Sequence, residues 1–276
     1  TNDVDAVNSM WSHLYDGVRE ANKLIDGLQE SAGNPAIDIS IAKLKTLRAL
    51  FMYMVMDNYG DVPLITSFTN APEFPTKATR QEVYDFLVAD MKASIPLLPL
   101  TSNKFAVNKG MGYTLLAKLY LNAEVYTGIP AYDKAEAICD SVIGLGIYTL
   151  DNTVTAPFSA TNVNVSENIF TILFDEFDAQ GFRLHMRTLH YLNNKTFGMK
   201  VGPWNGFAVL EDHYESYSDG DKRKEEWFLA GQQFDLGGAK LFDETAGEDL
   251  ILTPEIPALV MGAGNTSSEI RMSGVR

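Results

Sequence analysis

The chain has 276 residues, 46% of them hydrophobic and 21% charged, with a mean hydropathy of -0.08, a balance that excludes wholesale disorder. Its 22 basic against 36 acidic side chains leave a formal charge of -14, so phosphate backbones are repelled and nucleic acid is not expected as a partner. The single cysteine, Cys139, excludes an internal disulfide, and no apolar run approaches the ~18 residues of a membrane-spanning helix. The polar opening Thr1-Asn2-Asp3-Val4-Asp5 has none of the features of a signal peptide. Two readings stay open at this point, a cytosolic protein or the mature or trimmed piece of an exported one.

Val4, Val7, Trp11, Leu14, Val18, Ala21, Ile25 and Leu28 recur at helical spacing, so residues 4–30 are expected as one amphipathic helix. Gly33-Asn34-Pro35 breaks it. A second helix is expected from about Ile41 to Asn58, with Gly60 and Pro63 supplying the stop chemistry. After a proline-punctuated loop, Thr79-Arg80-Gln81-Glu82 has the capping-box pattern, opening a helix that turns Val83, Phe86, Leu87, Met91 and Ile95 inward until Pro96. A fourth helix is predicted from Lys109 to Tyr126 and a fifth from Tyr132 to Leu145, with Ala117, Ala123, Ala135 and Ala137 allowing close helix approach. Cys139, on the fifth, is expected as a small buried hydrophobe. Residues 109–145 thus have the size of a tetratricopeptide helix pair, and Tyr113, Leu116, Ala117 and Tyr120 fit part of that repeat's pattern.

Beyond about residue 148 the helical periodicity fades. Ile169-Phe170-Thr171-Ile172-Leu173-Phe174 reads as a short strand, and one further helix is expected near Val209–Tyr217. Lys222-Arg223-Lys224, followed at once by Glu225-Glu226, reads as a solvated helix end, and Asp219-Gly220-Asp221 as a helix-terminating turn without the ligand spacing of a calcium loop. Gly231 to Arg276 is Gly-rich, consistent with loops and a small sheet. The expected fold is mostly α: a tetratricopeptide-like helical-pair scaffold over 1–150, and an irregular loop and short-strand insertion over 151–276. That second region is expected to bind ligand and to pack on the scaffold as one integrated domain.

The order of the motifs resembles the SusD/RagB family. Lys45-Thr46-Leu47-Arg48-Ala49-Leu50-Phe51-Met52-Tyr53 and Asp57-Asn58-Tyr59-Gly60-Asp61-Val62-Pro63-Leu64 are similar to its opening signature. Thr79 to Tyr84, Asn108 to Ala123, Tyr126-Thr127-Gly128 with Tyr132 to Glu136, and Val142-Ile143 to Leu150 follow in the family's order. Asn205-Gly206 and Tyr217 to Arg223 resemble a later segment. The family is roughly twice this length, so the resemblance implies a chain truncated at both ends, with its lipid-bearing cysteine outside the sequence. It further implies an exported, non-catalytic glycan-binding lipoprotein on the outer face of the outer membrane, working in polysaccharide utilisation and nutrient uptake. Such a protein takes no cofactor and passes its glycan to a SusC-like TonB-dependent transporter.

Sugars offer apolar C–H faces rimmed by hydroxyls, so a binder needs exposed rings beside amide, guanidinium or imidazole groups. Gly202-Pro203-Trp204-Asn205-Gly206-Phe207 places two aromatics around an amide on a turn. By the resemblance, Phe207 stands where a starch-binding member carries a stacking Trp. Gly181-Phe182-Arg183-Leu184-His185-Met186-Arg187 aligns with another sugar-contacting stretch, and if it is extended Arg183, His185 and Arg187 share one side. The candidate glycan site is therefore Trp204, Asn205, Phe207, Arg183, His185 and Arg187. The departures from the family's residues argue for a glycan other than starch.

An enzyme is not expected. Asp175, Glu176 and Asp178 cluster after an apolar run, where a glycosidase would need a carboxyl pair, but an acidic chain makes such clusters freely. His13, His185, His190 and His213 lack zinc spacing, and there is no Gly-x-Ser-x-Gly elbow. The alternative function is a protein–protein adaptor built on the helical pairs, with Trp204 and Phe207 buried under a groove.

Overall fold

The computed structural model describes residues 4–175, 177–256 and 274–276. The fold is mostly α, with six two-residue strands among the described residues. The chain divides into two compact units, one running to Leu150 and taking in Val165–Ile172, the other made of Asp151–Asn164 and Leu173–Arg276.

In the first unit, α1 (Val4–Leu28) runs into a 3-10 turn, Gln29–Ser31, and α2 (Pro35–Tyr59) follows after three residues. The second helix starts well before the expected Ile41. Asn34 accepts from the Ala36 amide, and Pro35 occupies the first turn, where its missing N–H costs nothing. The predicted stripe of α1 is buried at Leu14, Val18, Ala21 and Ile25, while Val7 is exposed. α2 packs against α1 and also against α3 (Arg80–Ser94), which is why Ala49, Met52, Val55 and Met56 are all fully buried. Each buried Met or Val side chain contributes roughly 1.5–3 kcal/mol of apolar burial. The Thr79 capping box forms as expected: its hydroxyl accepts from the Glu82 amide and the Glu82 carboxylate accepts from the Thr79 amide. Just before it, Val62–Pro63 (β1) pairs antiparallel with Lys77–Ala78 (β2).

The expected fourth helix is two. α4 spans Lys109–Leu121 and α5 spans Ala123–Thr127; Asn122 breaks the run at φ -98 and ψ 11, its side-chain amide turned back onto the Lys118 carbonyl. α6 (Tyr132–Gly144) packs on α4 through Ala135 and the half-buried Ile138. Cys139 is exposed, against expectation: it lies away from the side that α6 packs on α4, as does Ile143, which is also in solvent. The predicted strand 169–174 forms no ladder. Its backbone instead bonds to the loop before α4: Thr171 donates to the Lys104 carbonyl at 2.8 Å, and Asn108 donates to the Ile169 carbonyl at 3.1 Å.

Asn108 also caps α4, and Tyr148 donates to its Oδ1 at 3.1 Å. The Tyr148 ring lies so close to Gly110 that an added Cβ would sit 2.2 Å from the hydroxyl. Gly110→Ala is expected to cost about 1–3 kcal/mol by overpacking. A urea melt showing no loss would mean that Tyr148 swings away without penalty.

The signature residues prove to be structural. Arg48, 4% exposed, donates to Asp90 Oδ2 at 2.6 Å and, from Nη1, to Asn22 Oδ1 and the Thr66 carbonyl at 2.9 Å each. Its guanidinium lies 5.2 Å from the Phe86 ring centre, and Lys45 reaches the other Asp90 oxygen at 3.3 Å. Tyr126 donates to Asp57 at 2.7 Å, and burial and that carboxylate hold its hydroxyl well above the ordinary tyrosine range. Tyr59 donates to the Val7 carbonyl, tying the end of α2 to the start of α1.

Asp26 on α1 gathers the loop beyond β1. One carboxylate oxygen accepts from the Thr69 amide and hydroxyl, the Ser67 hydroxyl and the Phe68 amide, all within 2.8 to 2.9 Å. The Thr69 bonds, and after them those of Ser67 and Phe68, lower its pKa from 3.8 to about 2. A carboxylate with a depressed folded-state pKa stabilises fully above its unfolded pKa and loses that contribution as pH falls through the folded value. The stability gap between the native chain and Asp26→Asn is therefore expected to close between pH 4 and pH 2. Denaturant melts at the two pH values check this, and a gap that stays constant would show that the carboxylate charge is not what holds the loop.

The second unit is built of short pieces. α7 (Leu184–Thr188), α8 (Asn193–Phe197), α9 (Glu211–Glu215) and α10 (Lys222–Glu226) are five residues each. The helix expected over 209–217 is therefore only α9; beyond it Tyr217 turns onto the ring of Phe228. Asp219-Gly220-Asp221 links α9 to α10, where Asp221 is the N-cap, so Lys222 to Lys224 begin a helix instead of ending one. Gly231–Gln232 (β3) pairs with Ile251–Leu252 (β6), and Phe242–Asp243 (β4) with Glu248–Asp249 (β5), both antiparallel. Leu241, Leu250 and Leu252 form the core of this unit with Leu192 and Leu229. Of the Gly-rich tail, 257–273 lie outside the described residues.

Candidate functional site

The two segments singled out by sequence lie side by side in the second unit. The stretch around Arg183 is not extended: it enters α7, so successive alternate residues point about 200° apart and His185 and Arg187 cannot share a side as a strand would have it. What the helical turn supplies instead is a set of carbonyls with no partner within the helix. The 204–207 backbone takes them. Trp204 donates to Met186 at 2.6 Å, Asn205 to Leu189 at 3.0 Å, and Gly206 and Phe207 both to Arg187 at 2.8 Å. Gly206 eases this approach, because a Cβ there would lie 3.2 Å from the Arg187 carbonyl oxygen, a tight contact that the backbone would have to relieve by a small shift.

The side chains on this frame face solvent. Trp204 is 44% and Phe207 55% exposed, whereas Pro203 between the turn and the frame is buried. The Arg187 guanidinium sits 5.7 Å from the Trp204 ring centre, within cation–π range. His185, on the same turn, stacks on Phe182 with ring centres 5.8 Å apart and planes 23° apart, and Phe182 in turn contacts Phe174 at 5.4 Å. Arg183 precedes α7 and is exposed. Five of the six predicted residues thus point outward around one backbone frame. Asn205 is different. It is half-buried at φ +53, and its Oδ1 accepts from Arg276 Nε at 2.9 Å and Nη2 at 2.6 Å.

Phe182 and Phe174 were not anticipated as ring partners. Phe182 stood inside the quoted motif and could have been chosen, but Phe174 was masked by the apparent strand. His190, by contrast, is a core residue: fully buried, it accepts from the Leu192 amide at Nδ1 and faces Asp243 across 3.7 Å.

The acidic cluster is arranged for a turn. Asp175 Oδ1 accepts from the amides of Phe177, Asp178 and Ala179, which pulls its pKa below the ordinary carboxylate value. That is the reverse of the raised pKa a glycosidic general acid needs. Glu176 lies outside the described residues. Rings flanked by a guanidinium and an imidazole can stack on a flat apolar face and hydrogen-bond to its polar rim.

Comparison with known proteins finds similarity to SusD-like proteins. A SusD-like family model described as "Starch-binding associating with outer membrane" matches residues 1–121. The starch-binding protein SusD of Bacteroides thetaiotaomicron is 31% identical over 123 residues, 44% of this chain and 22% of that one. In fold, a SusD superfamily protein from Parabacteroides distasonis matches 90% of this chain and 59% of its own, with a TM-score of 0.72 and 22% identity. Surface glycan-binding protein A from Bacteroides thetaiotaomicron, solved in complex with laminarihexaose, matches 78% of this chain and 48% of its own at a TM-score of 0.63 and 24% identity. The chain spans 22% of the length of the curated relative and 59% and 48% of the two solved structures. The sequence similarity to SusD-like proteins is thus carried by the helical first unit, and the likeness in fold to SusD superfamily structures by most of the chain.

Proposed function

We propose that this chain is a non-catalytic surface glycan-binding protein whose ligand platform is centred on Trp204, Phe207 and Arg187, with Arg183, His185 and Phe182 as a second exposed group around the same turn. The observation that carries the reading is the pairing of the two segments: exposed rings from 202–207 are bonded through the backbone to a turn that brings a guanidinium over one of them. Asn205 serves the frame through its Oδ1. The adaptor reading required Trp204 and Phe207 beneath a helical groove, and their exposure favours the glycan reading. A fold shared with a laminarihexaose-bound protein supports an oligosaccharide as ligand. Capture at the cell surface, a lipid anchor outside this sequence and delivery to a SusC-like TonB-dependent transporter complete the proposal, supported by the family's outer-membrane association.

The test is calorimetry against soluble starch, laminarihexaose, xylogluco-oligosaccharides and mucin glycans, repeated with Trp204→Ala and Phe207→Ala. Binding lost in either variant supports the platform. Binding retained in both moves the site elsewhere, and no binding to any panel member returns the adaptor reading to the front.

A further inference from the structure

We propose that Arg276 is the positioning residue of this platform, acting through Asn205 to hold the turn that presents Trp204 and Phe207. The inference rests on the glycan-binding reading for its functional consequence, though not for its geometry. Asn205 is the one non-glycine residue with a positive φ among the described residues, at +53. A side chain in that region is strained, and asparagine tolerates it better than most. The turn therefore needs something to hold it, and Arg276 is placed to do so. The Arg276 side chain is 8% exposed. Nε and Nη2 both donate to Asn205 Oδ1, and Nη1 donates to the Gly274 carbonyl.

The guanidinium is itself well anchored. The Arg276 amide donates to the Leu229 carbonyl at 3.1 Å and its carbonyl accepts from the Leu229 amide at 2.6 Å. One residue earlier, Val209 donates to the Val275 carbonyl at 2.8 Å, so the same segment is stitched to the chain on the far side of the turn. Burial lowers the Arg276 pKa to about 10, which leaves it cationic at neutral pH. A cation fixed at both its backbone and its head restrains the amide of Asn205 from below, while the four backbone bonds to Met186, Arg187 and Leu189 restrain the turn from the side. Its effect reaches the ligand through the turn.

The experiment is a double-mutant cycle of Arg276→Met, Asn205→Ala and the two combined, in the full chain. Two quantities are read: hydrogen exchange of the Gly206 and Phe207 amides, and affinity for the panel glycan that the native chain binds. Arg276→Met is expected to speed exchange at Gly206 and Phe207 and to weaken binding by about tenfold, the scale of a lost hydrogen bond to a charged group. Exchange at the Gln233 and Leu250 amides, in the core ladder of the same unit, should stay as in the native chain. The combined variant should be no worse than either single one. Unchanged exchange at Gly206 and Phe207, equal acceleration at Gln233 and Leu250, or additive effects in the cycle would overturn the proposal. Arg276→Lys, which keeps one donor and the charge, should restore most of the protection and serves as the reading should the Met variant fail to fold. If Trp204→Ala leaves affinity intact while exchange obeys the cycle, the positioning role stands and the glycan platform itself is misplaced.

Discussion

Asp90→Ala is expected to lower the unfolding free energy of the helical unit by about 3–5 kcal/mol, the usual cost of removing one partner of a buried ion pair. The loss comes less from the missing attraction than from what is left behind. Arg48 would stay 4% exposed with its positive charge facing the vacated site, and Lys45 would lose its contact to the same carboxylate. Because Arg48 also grips Asn22 and the Thr66 carbonyl, the loss should spread to α1 and to the loop after β1. Asp90→Asn, which keeps an acceptor, should cost less. The double change Arg48→Met with Asp90→Leu should recover most of the deficit, since apolar replacements of similar volume often match a buried pair. Urea unfolding followed by far-ultraviolet circular dichroism gives all three values. A deficit below about 1 kcal/mol for Asp90→Ala would mean that water reaches Arg48 and that the pair behaves as a surface one.

Trp204→Ala should weaken glycan binding by about 2 kcal/mol, some thirtyfold in Kd, as truncation of a central aromatic contact typically does. Trp204→Phe should lose less, because a smaller ring still offers a stacking face. Arg187→Ala should fall between them, removing the cation above the ring and a hydrogen-bond donor together. None of these should move the melting midpoint by more than about a degree or two, because the side chains are exposed and the frame is made of backbone bonds. Calorimetry and a thermal melt on each variant separate the two readouts. Equal losses of affinity and stability would assign Trp204 to packing.

The helical unit was legible because its signals are local. Capping at Thr79, the apolar stripe of α1 and the turn at Gly60 each act within one or two helical turns, and all appear as expected. The errors there also have local causes that periodicity does not register: Pro35 extends α2 backward, and Asn122 cuts the predicted fourth helix in two. The second unit was less legible. Its order comes from contacts between residues far apart in sequence, such as Asn205 with Arg276 and Asn193 with Gln233, and no window of a dozen residues contains both ends. The candidate residues were chosen by type, ring and guanidinium on glycine-bounded turns. Their arrangement was not, because an alternation of Arg183, His185 and Arg187 reads equally well as strand or helix until the chain after it is placed.

The way α7 is finished bears on which residues of the proposed platform are free to vary. The platform turn is attached to that helix by main-chain amides and carbonyls, groups that every residue except proline supplies alike. Substitutions at positions 204, 207, 185 and 187 can therefore alter the shape and polarity offered to a sugar while the mounting beneath them stays intact. The tightest geometry falls instead on Gly202 and Gly206, whose added Cβ atoms would crowd the Tyr191 and Arg187 carbonyls, and on the Asn205–Arg276 pair. On the glycan-binding reading proposed above, a change of ligand then needs only a handful of exposed side chains to be exchanged, with little cost to the fold that carries them.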